Sequence, residues 1–189
     1  MNIGKKIMNI TQHMSWIGGV DLFATTPGSP QPNVIIHVAR AVTTPLGTAP
    51  SGLVFFQPDP SKPPLFAGFI CTDEKLGAYF GPKIFAGTPF EKMPTLKAKV
   101  EIKETPAMAT AKIQIAGFVI ETMLSDFAPM VRVEREAGKP MPFAQQGVEA
   151  HAKLAKLKIN GKEIALSVLP YSEEMGGSSV WSPGGTYSR

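Results

Sequence analysis

Residues 95–103, TLKAKVEIK, constrain the fold most, because apolar and charged side chains alternate strictly along them. A side-chain period of two belongs to a β-strand with one buried and one hydrated face. Residues 109–124 begin with the same alternation and then become largely apolar. We expect these two segments to be neighbours in an antiparallel sheet.

Residues 153–169 predict a second hairpin. Asn160-Gly161 lies at its centre, and this dipeptide readily takes the positive φ angles of a type I′ turn. Counting outward from the turn puts opposite charges across from each other on one face and apolar side chains together on the other. The predicted cross-strand pairs are Lys158 with Glu163, Leu157 with Ile164, and Ala155 with Leu166.

Glycine and proline divide the chain into short segments, with 18 residues of each type spread along the sequence. Apolar runs at 33–42, 65–72 and 76–87 are typical of strands covered on both faces. Residues 143–152 have a helix-forming composition, which suits one short helix. The sequence therefore predicts an all-β fold, an antiparallel β-sandwich or barrel, with residues 20–170 as a single β domain.

Residues 1–19 depart from this pattern and are predicted to be a separate N-terminal amphipathic arm. Their apolar side chains recur at the spacing of a helical stripe, namely Ile3, Ile7, Ile10, Met14 and Ile17. Isoleucine is β-branched and also suits a strand, so both structures stay open, with the spacing favouring a short N-terminal helix. Lys5 and Lys6 supply few cations for a membrane surface, so we expect the stripe to cover protein.

Residues 171–189 are predicted to form an irregular C-terminal arm, rich in glycine and serine, in which Pro183 opposes a continuous central strand. The arm nevertheless carries two large aromatic side chains, and aromatic residues are enriched at protein contacts. We expect the arms to pack on the body of the protein or on a neighbouring subunit. The predicted contact residues are Ile7, Ile10, Met14 and Trp16 in the first arm and Trp181 and Tyr187 in the second.

Side chains suited to catalysis are scarce. The three histidines, His13, His37 and His151, are far apart and lack metal-ligand spacing, and the sequence has no nucleophile, nucleotide-binding or metal motif. His37 lies in an apolar run, where we expect a core histidine bonded to a backbone carbonyl; a general base in a pocket is the alternative. The sequence predicts no catalytic residue, no metal site and no cofactor.

Charge and composition limit the partners. The net charge of +4 is too small to indicate nucleic acid, and we interpret the lysines of both hairpins as solubilising. No apolar run approaches the roughly 18 residues of a membrane-spanning helix. With one cysteine, Cys71, and no convincing secretory signal, the protein is expected to be cytoplasmic.

These observations predict a non-catalytic interaction or assembly module that self-associates. The 11 phenylalanines and nine methionines leave open a carrier of a small apolar ligand in a β-barrel cavity, and also a lyase-like or isomerase-like barrel enzyme. A pocket with convergent polar groups would favour either alternative, whereas arms docked on neighbouring chains would favour assembly.

Overall fold

The computed structural model describes residues 13–138, 143–170 and 178–188, which form thirteen β-strands and one α-helix. The predicted all-β fold is confirmed. The elements are β1 His13–Thr25, β2 Val34–Thr44, β3 Gly47–Phe56, β4 Phe66–Cys71, α1 Glu74–Ile84, β5 Thr95–Lys97, β6 Lys99–Thr105, β7 Met108–Ile115, β8 Phe118–Phe127, β9 Val131–Arg135, β10 Ala144–Ile159, β11 Lys162–Ile164, β12 Ser167–Val168 and β13 Ser179–Ser188.

The strands form one sheet whose main path runs β5-β4-β3-β2-β1-β13-β10-β8-β7-β6, with β9 and β11 paired to β10 and β12 paired to β1. All neighbours are antiparallel except β4 and β5. The path does not close into a barrel. Strand β10 is 16 residues long and joins two layers, because its first half pairs with β13 and β9 and its second half with β8 and β11.

The first layer contains β1 to β5, β9, β12, β13 and the first half of β10, and the second layer contains β6 to β8, β11 and the second half of β10. The main core lies between these two layers. Val20, Ile36 and Val54 of the first layer belong to the same buried cluster as Ile113 and Leu124 of the second. A second, smaller core lies beneath helix α1. It contains Met14, Trp16, Ala39, Val42, Phe80, Ile84, Phe143 and Tyr187. The sandwich-like body therefore has a main core between its two layers and a smaller core between the first layer and helix α1.

Both of the hairpins predicted from side-chain alternation are present. Strands β6 and β7 pair antiparallel from Lys99 and Gln114 to Thr105 and Met108. The predicted bounds are corrected, because residues 95–103 are divided at Ala98 into β5 and β6, and residues 109–124 turn back at Gly117 to form the hairpin of β7 and β8. At the second hairpin, Lys158 lies opposite Glu163 and Leu157 opposite Ile164, as predicted. The ladder ends there, and the further pair predicted between Ala155 and Leu166 is not part of it.

The helix favoured for the N-terminal arm is wrong where the structure describes it, because residues 13–25 form β1. This strand pairs with β2 on one side and β13 on the other, and those two ladders outweigh a helical spacing. Gly18, at a φ of 65°, interrupts the alternation, so that Met14 and Trp16 join the smaller core while Val20 joins the main one. Residues 1–12, with Ile7 and Ile10, lie outside the described residues.

The irregular structure predicted for the C-terminal arm is also wrong for its described part. Residues Ser179–Ser188 form β13, a regular strand between β1 and β10. Pro183 lies in an irregular part of the ladder to β10, where the register shifts between Gly184, which pairs with Val148, and Trp181, which pairs with Ala150. Proline within a sheet is usually found at irregularities of this kind, because it cannot donate a backbone hydrogen bond.

Two further predictions of secondary structure are corrected. Within residues 76–87, expected to be a strand, the chain is helix α1, which begins after Asp73 because that carboxylate accepts hydrogen bonds from the backbone N–H groups of Lys75 and Leu76. The helix expected at 143–152 is instead the first half of β10, whose ladders to β13 and β9 override a weak helical preference. Among the described residues, no helix has the length and apolar character needed to span a membrane.

Candidate functional site

Two aromatic side chains, Trp16 of β1 and Tyr187 of β13, meet on the helix-covered face of the first layer. The Trp16 indole lies over Gly185 and Gly147, where added Cβ atoms would fall 2.3 and 3.2 Å from it. Its Nε1 donates a hydrogen bond of 3.0 Å to Ser182 Oγ. Tyr187 stacks on Trp16 with 4.3 Å between ring centroids. Glycines on β13 and β10 therefore leave the flat surface on which the two aromatic rings pack.

A polar triad borders these rings. Asp21 on β1 lies directly opposite His37 on β2, and its Oδ1 is 2.5 Å from His37 Nδ1. The other ring nitrogen of His37, Nε2, is 3.1 Å from the hydroxyl oxygen of Tyr187. The backbone carbonyl predicted as the partner of His37 is thus wrong, since a carboxylate and a phenol take that place. Strands β2, β1 and β13 each contribute one member, so the triad ties together three neighbouring strands.

The surroundings of the triad raise the pKa of His37 and of Tyr187. Burial disfavours a charge on His37, but the Asp21 carboxylate and its hydrogen bond, helped by Glu149, raise the pKa of His37 above its ordinary value. Burial, then the negative charges of Asp21 and Glu149, hold the pKa of Tyr187 well above its ordinary value. The phenol therefore stays protonated, and the imidazole is stabilised as the cation beside Asp21.

A second polar group lies on the neighbouring strands β9 and β10. Arg135 makes a two-pronged ion pair with Glu149, with distances of 2.7 and 2.8 Å. Gln145 donates a hydrogen bond of 2.9 Å to the same carboxylate and accepts one of 3.0 Å from Arg135. The two charged side chains are only 15% and 9% exposed, and paired Arg–carboxylate groups are strong when shielded from water. This pair anchors the short strand β9 to β10.

The chemistry of the two polar groups favours a structural role. Both ring nitrogens of His37 already have partners, and the Glu149 carboxylate is neutralised by Arg135. A general base must lie within reach of a substrate proton, and here Nε2 of His37 faces the hydroxyl of Tyr187, a residue only 4% exposed. Among the described residues, no group of three or more histidine, cysteine or acidic side chains is arranged to hold a metal ion. The network aligns five adjacent strands, β2, β1, β13, β10 and β9.

Opposite the rings of Trp16 and Tyr187, the other face of these five strands is exposed or half-buried, and we call this part the open face. Residues directly opposite one another in antiparallel strands project to the same side. One row of the open face is Ala41, Ile17, Gly184, Val148 and Arg132, and the next is Thr43, Ser15, Thr186, Gln146 and Glu134. Ile17, at the centre, is 53% exposed. The open face is thus polar or small in most positions and ends at edge strand β9.

The outer face of the second layer is charged. One row across five strands alternates in sign, with Glu101, Lys112, Glu121, Lys158 and Glu163 in succession. A shallow hollow of about 590 Å³ lies over this face, lined mainly by lysine, glutamate and threonine. Opposite charges across a sheet support pairing of its strands, and the solubilising role of these lysines stays a prediction.

The structure places the predicted contact residues as follows. Met14, Trp16 and Tyr187 are at most 4% exposed and pack against one another inside the chain. Trp181 is half-buried, 5.5 Å from the Phe127 ring, and its Nε1 donates a hydrogen bond to Glu104. Contact of these four residues with a partner stays a prediction, as does that of Ile7 and Ile10. The sequence analysis missed the triad, whose members are up to 166 residues apart, and it missed β9, whose five residues gave too short a pattern.

Comparison of the chain with known protein families, with curated proteins and with solved structures gave no match.

Proposed function

We propose that this protein is a non-catalytic interaction module that self-associates, with edge strand β9 as its contact surface. The observation that carries the proposal is the pairing of that strand. One edge of β9 is bonded to β10, and among the described residues no strand lies along the other. An unpaired strand edge offers a row of backbone donors and acceptors to another chain.

Two properties of β9 support this role. The buried pair of Arg135 and Glu149 holds the strand in place, so little conformational freedom is lost when a partner binds. At its beginning, Met130 and Val131 are 49% and 52% exposed. Burial of such apolar surface favours association. An ordered edge with apolar side chains at one end suits a stable contact.

The two alternative functions have less support. A carrier of an apolar ligand needs an apolar cavity, whereas the hollow on the second layer is open and lined by charged side chains. A lyase-like or isomerase-like enzyme needs an acid or base facing a pocket, whereas the Nε2 of His37 faces the hydroxyl of Tyr187, a residue only 4% exposed. The single cysteine, Cys71, is buried and free, which supports a reducing compartment such as the cytoplasm.

Solution mass tests the proposal. Sedimentation velocity and light scattering of the full chain, over a wide range of concentrations, should show a rise from the chain mass of 20.3 kDa toward twice that value. A mass that stays at that of one chain up to the highest soluble concentration would overturn the proposal.

A further inference from the structure

We propose that the partner of β9 is β9 of a second copy of this chain, paired antiparallel about a two-fold axis through Val133. This inference rests on the proposed self-association and adds the partner strand and its register. In such a contact the same surface is used by both copies, and each contact occurs twice. Two copies would then share one sheet that is continuous across the axis.

The faces of β9 limit the registers. When a two-fold axis makes two strands antiparallel in one sheet, the axis is perpendicular to that sheet. Each face of the sheet in one copy is therefore continuous with the same face in the other copy. Residues opposite one another must therefore come from the same face of β9. Arg132 and Glu134 lie on the open face, and Val133 lies on the other. The axis must accordingly pass through a residue and not between two residues.

Charge then selects one register. With the axis at Val133, Arg132 of each copy lies opposite Glu134 of the other. An axis at Arg132 would place two arginines opposite each other, and an axis at Glu134 would do the same with two glutamates. Opposite charges across a ladder stabilise it and like charges destabilise it. The sequence VRVER is thus complementary to itself in the one register centred on Val133.

The side chains concerned are available for this exchange. Arg132 and Glu134 are 78% and 56% exposed, and they pair with each other within the strand at 2.5 Å. An exposed pair of this kind contributes little to folding, so exchanging partners between copies costs little. Arg135 takes no part, because it is bound to Glu149 on the opposite face. Arg132 and Glu134 therefore have two effects: their charges oppose pairing of β9 with unrelated strands, and they favour pairing with β9 of a second copy.

The other long edge, β6, is less suited to this contact. Its Glu104 accepts a hydrogen bond from Trp181 and lies 3.9 Å from Arg40, so that edge turns toward the first layer. Among the described residues β6 pairs only with β7, and it presents Lys99, Glu101 and Lys103 to solvent. It provides a matched control, since Lys99 and Glu101 form an exposed ion pair two residues apart, like that of Arg132 and Glu134.

Charge reversal tests the register. Arg132→Glu and Glu134→Arg each replace two attractive cross-copy pairs with two repulsive ones, so each should raise the dimer dissociation constant at least about tenfold. The double variant, Arg132→Glu with Glu134→Arg, restores complementarity and should return the constant to within about threefold of the natural chain. Thermal unfolding at low concentration should be nearly the same for all four chains, because the residues are exposed.

The control and the outcomes separate the two proposals. Lys99→Glu should leave the dissociation constant unchanged. If the chain dimerises but neither single reversal at β9 weakens it, or if the double variant stays as weak as the singles, the β9 register is wrong while self-association stands. If Lys99→Glu alone weakens the dimer, the contact lies at β6. If the natural chain is a monomer throughout, both proposals fall.

Discussion

At the scale of single residues, the glycines of β10 and β13 explain why two aromatic side chains belong near the end of the chain. Gly147 and Gly185 leave room for the Trp16 indole, on which Tyr187 then stacks. A glycine in the interior of a strand normally weakens that strand, and it often marks a place where another group closely approaches the backbone. The segment SPGGTYS is therefore a strand built to receive a tryptophan from β1.

Gly185→Ala should destabilise the protein by about 1–3 kcal/mol, because the new Cβ would lie 2.3 Å from Trp16 and 2.4 Å from the Gln146 carbonyl oxygen. Chemical denaturation measures the change in the free energy of unfolding. Gly138→Ala is the control, since nothing lies within 4 Å of a Cβ built there, and it should shift stability by less than about 0.5 kcal/mol. Equal effects of the two substitutions would contradict the packing described for Trp16.

At the scale of elements, the sequence correctly predicted those turns and strands that depend only on nearby residues. Asn160 and Gly161 have φ angles of 50° and 77°, which confirms the predicted type I′ turn. The alternation of residues 95–103 likewise predicted β6 and its pairing with β7, but it did not reveal that residues 95–97 form the separate strand β5. By contrast, residues 143–152 became a strand because β9 and β13 lie on both sides of them. The structure of this segment depends on strands that are distant in sequence, so its amino-acid composition alone could not predict it.

Gly161→Val should lower the free energy of unfolding by about 1–3 kcal/mol, since a β-branched residue resists a positive φ. Open space surrounds Gly161, so the loss would come from the backbone and not from a clash. Gly161→Asn is the matched control, because asparagine tolerates this conformation, and it should cost clearly less. If the valine and asparagine variants have the same denaturation midpoint, the turn type is wrong.

At the scale of the whole molecule, the order of strands could not be predicted. The all-β class followed from alternation and from the many turns, but β13 lies between β1 and β10, and nothing in residues 178–188 specifies those neighbours. The Asp21–His37–Tyr187 triad exists only because this order brings three strands together. The edge position of β9 is a property of the complete sheet, so the proposed contact surface could be identified only once the strand order was known.

The central claim is that a second copy covers the free edge of β9, and amide hydrogen exchange measured at two protein concentrations tests it most directly. Pairing protects the amides that point to that edge from exchange with solvent. Exchange in residues 131–135 should slow at the concentration that favours the dimer, and Arg132→Glu should abolish this slowing. Exchange in β6, Lys99–Thr105, should be the same at both concentrations. If the mass doubles while exchange in β9 stays unchanged, or if protection appears at β6, the claim is contradicted.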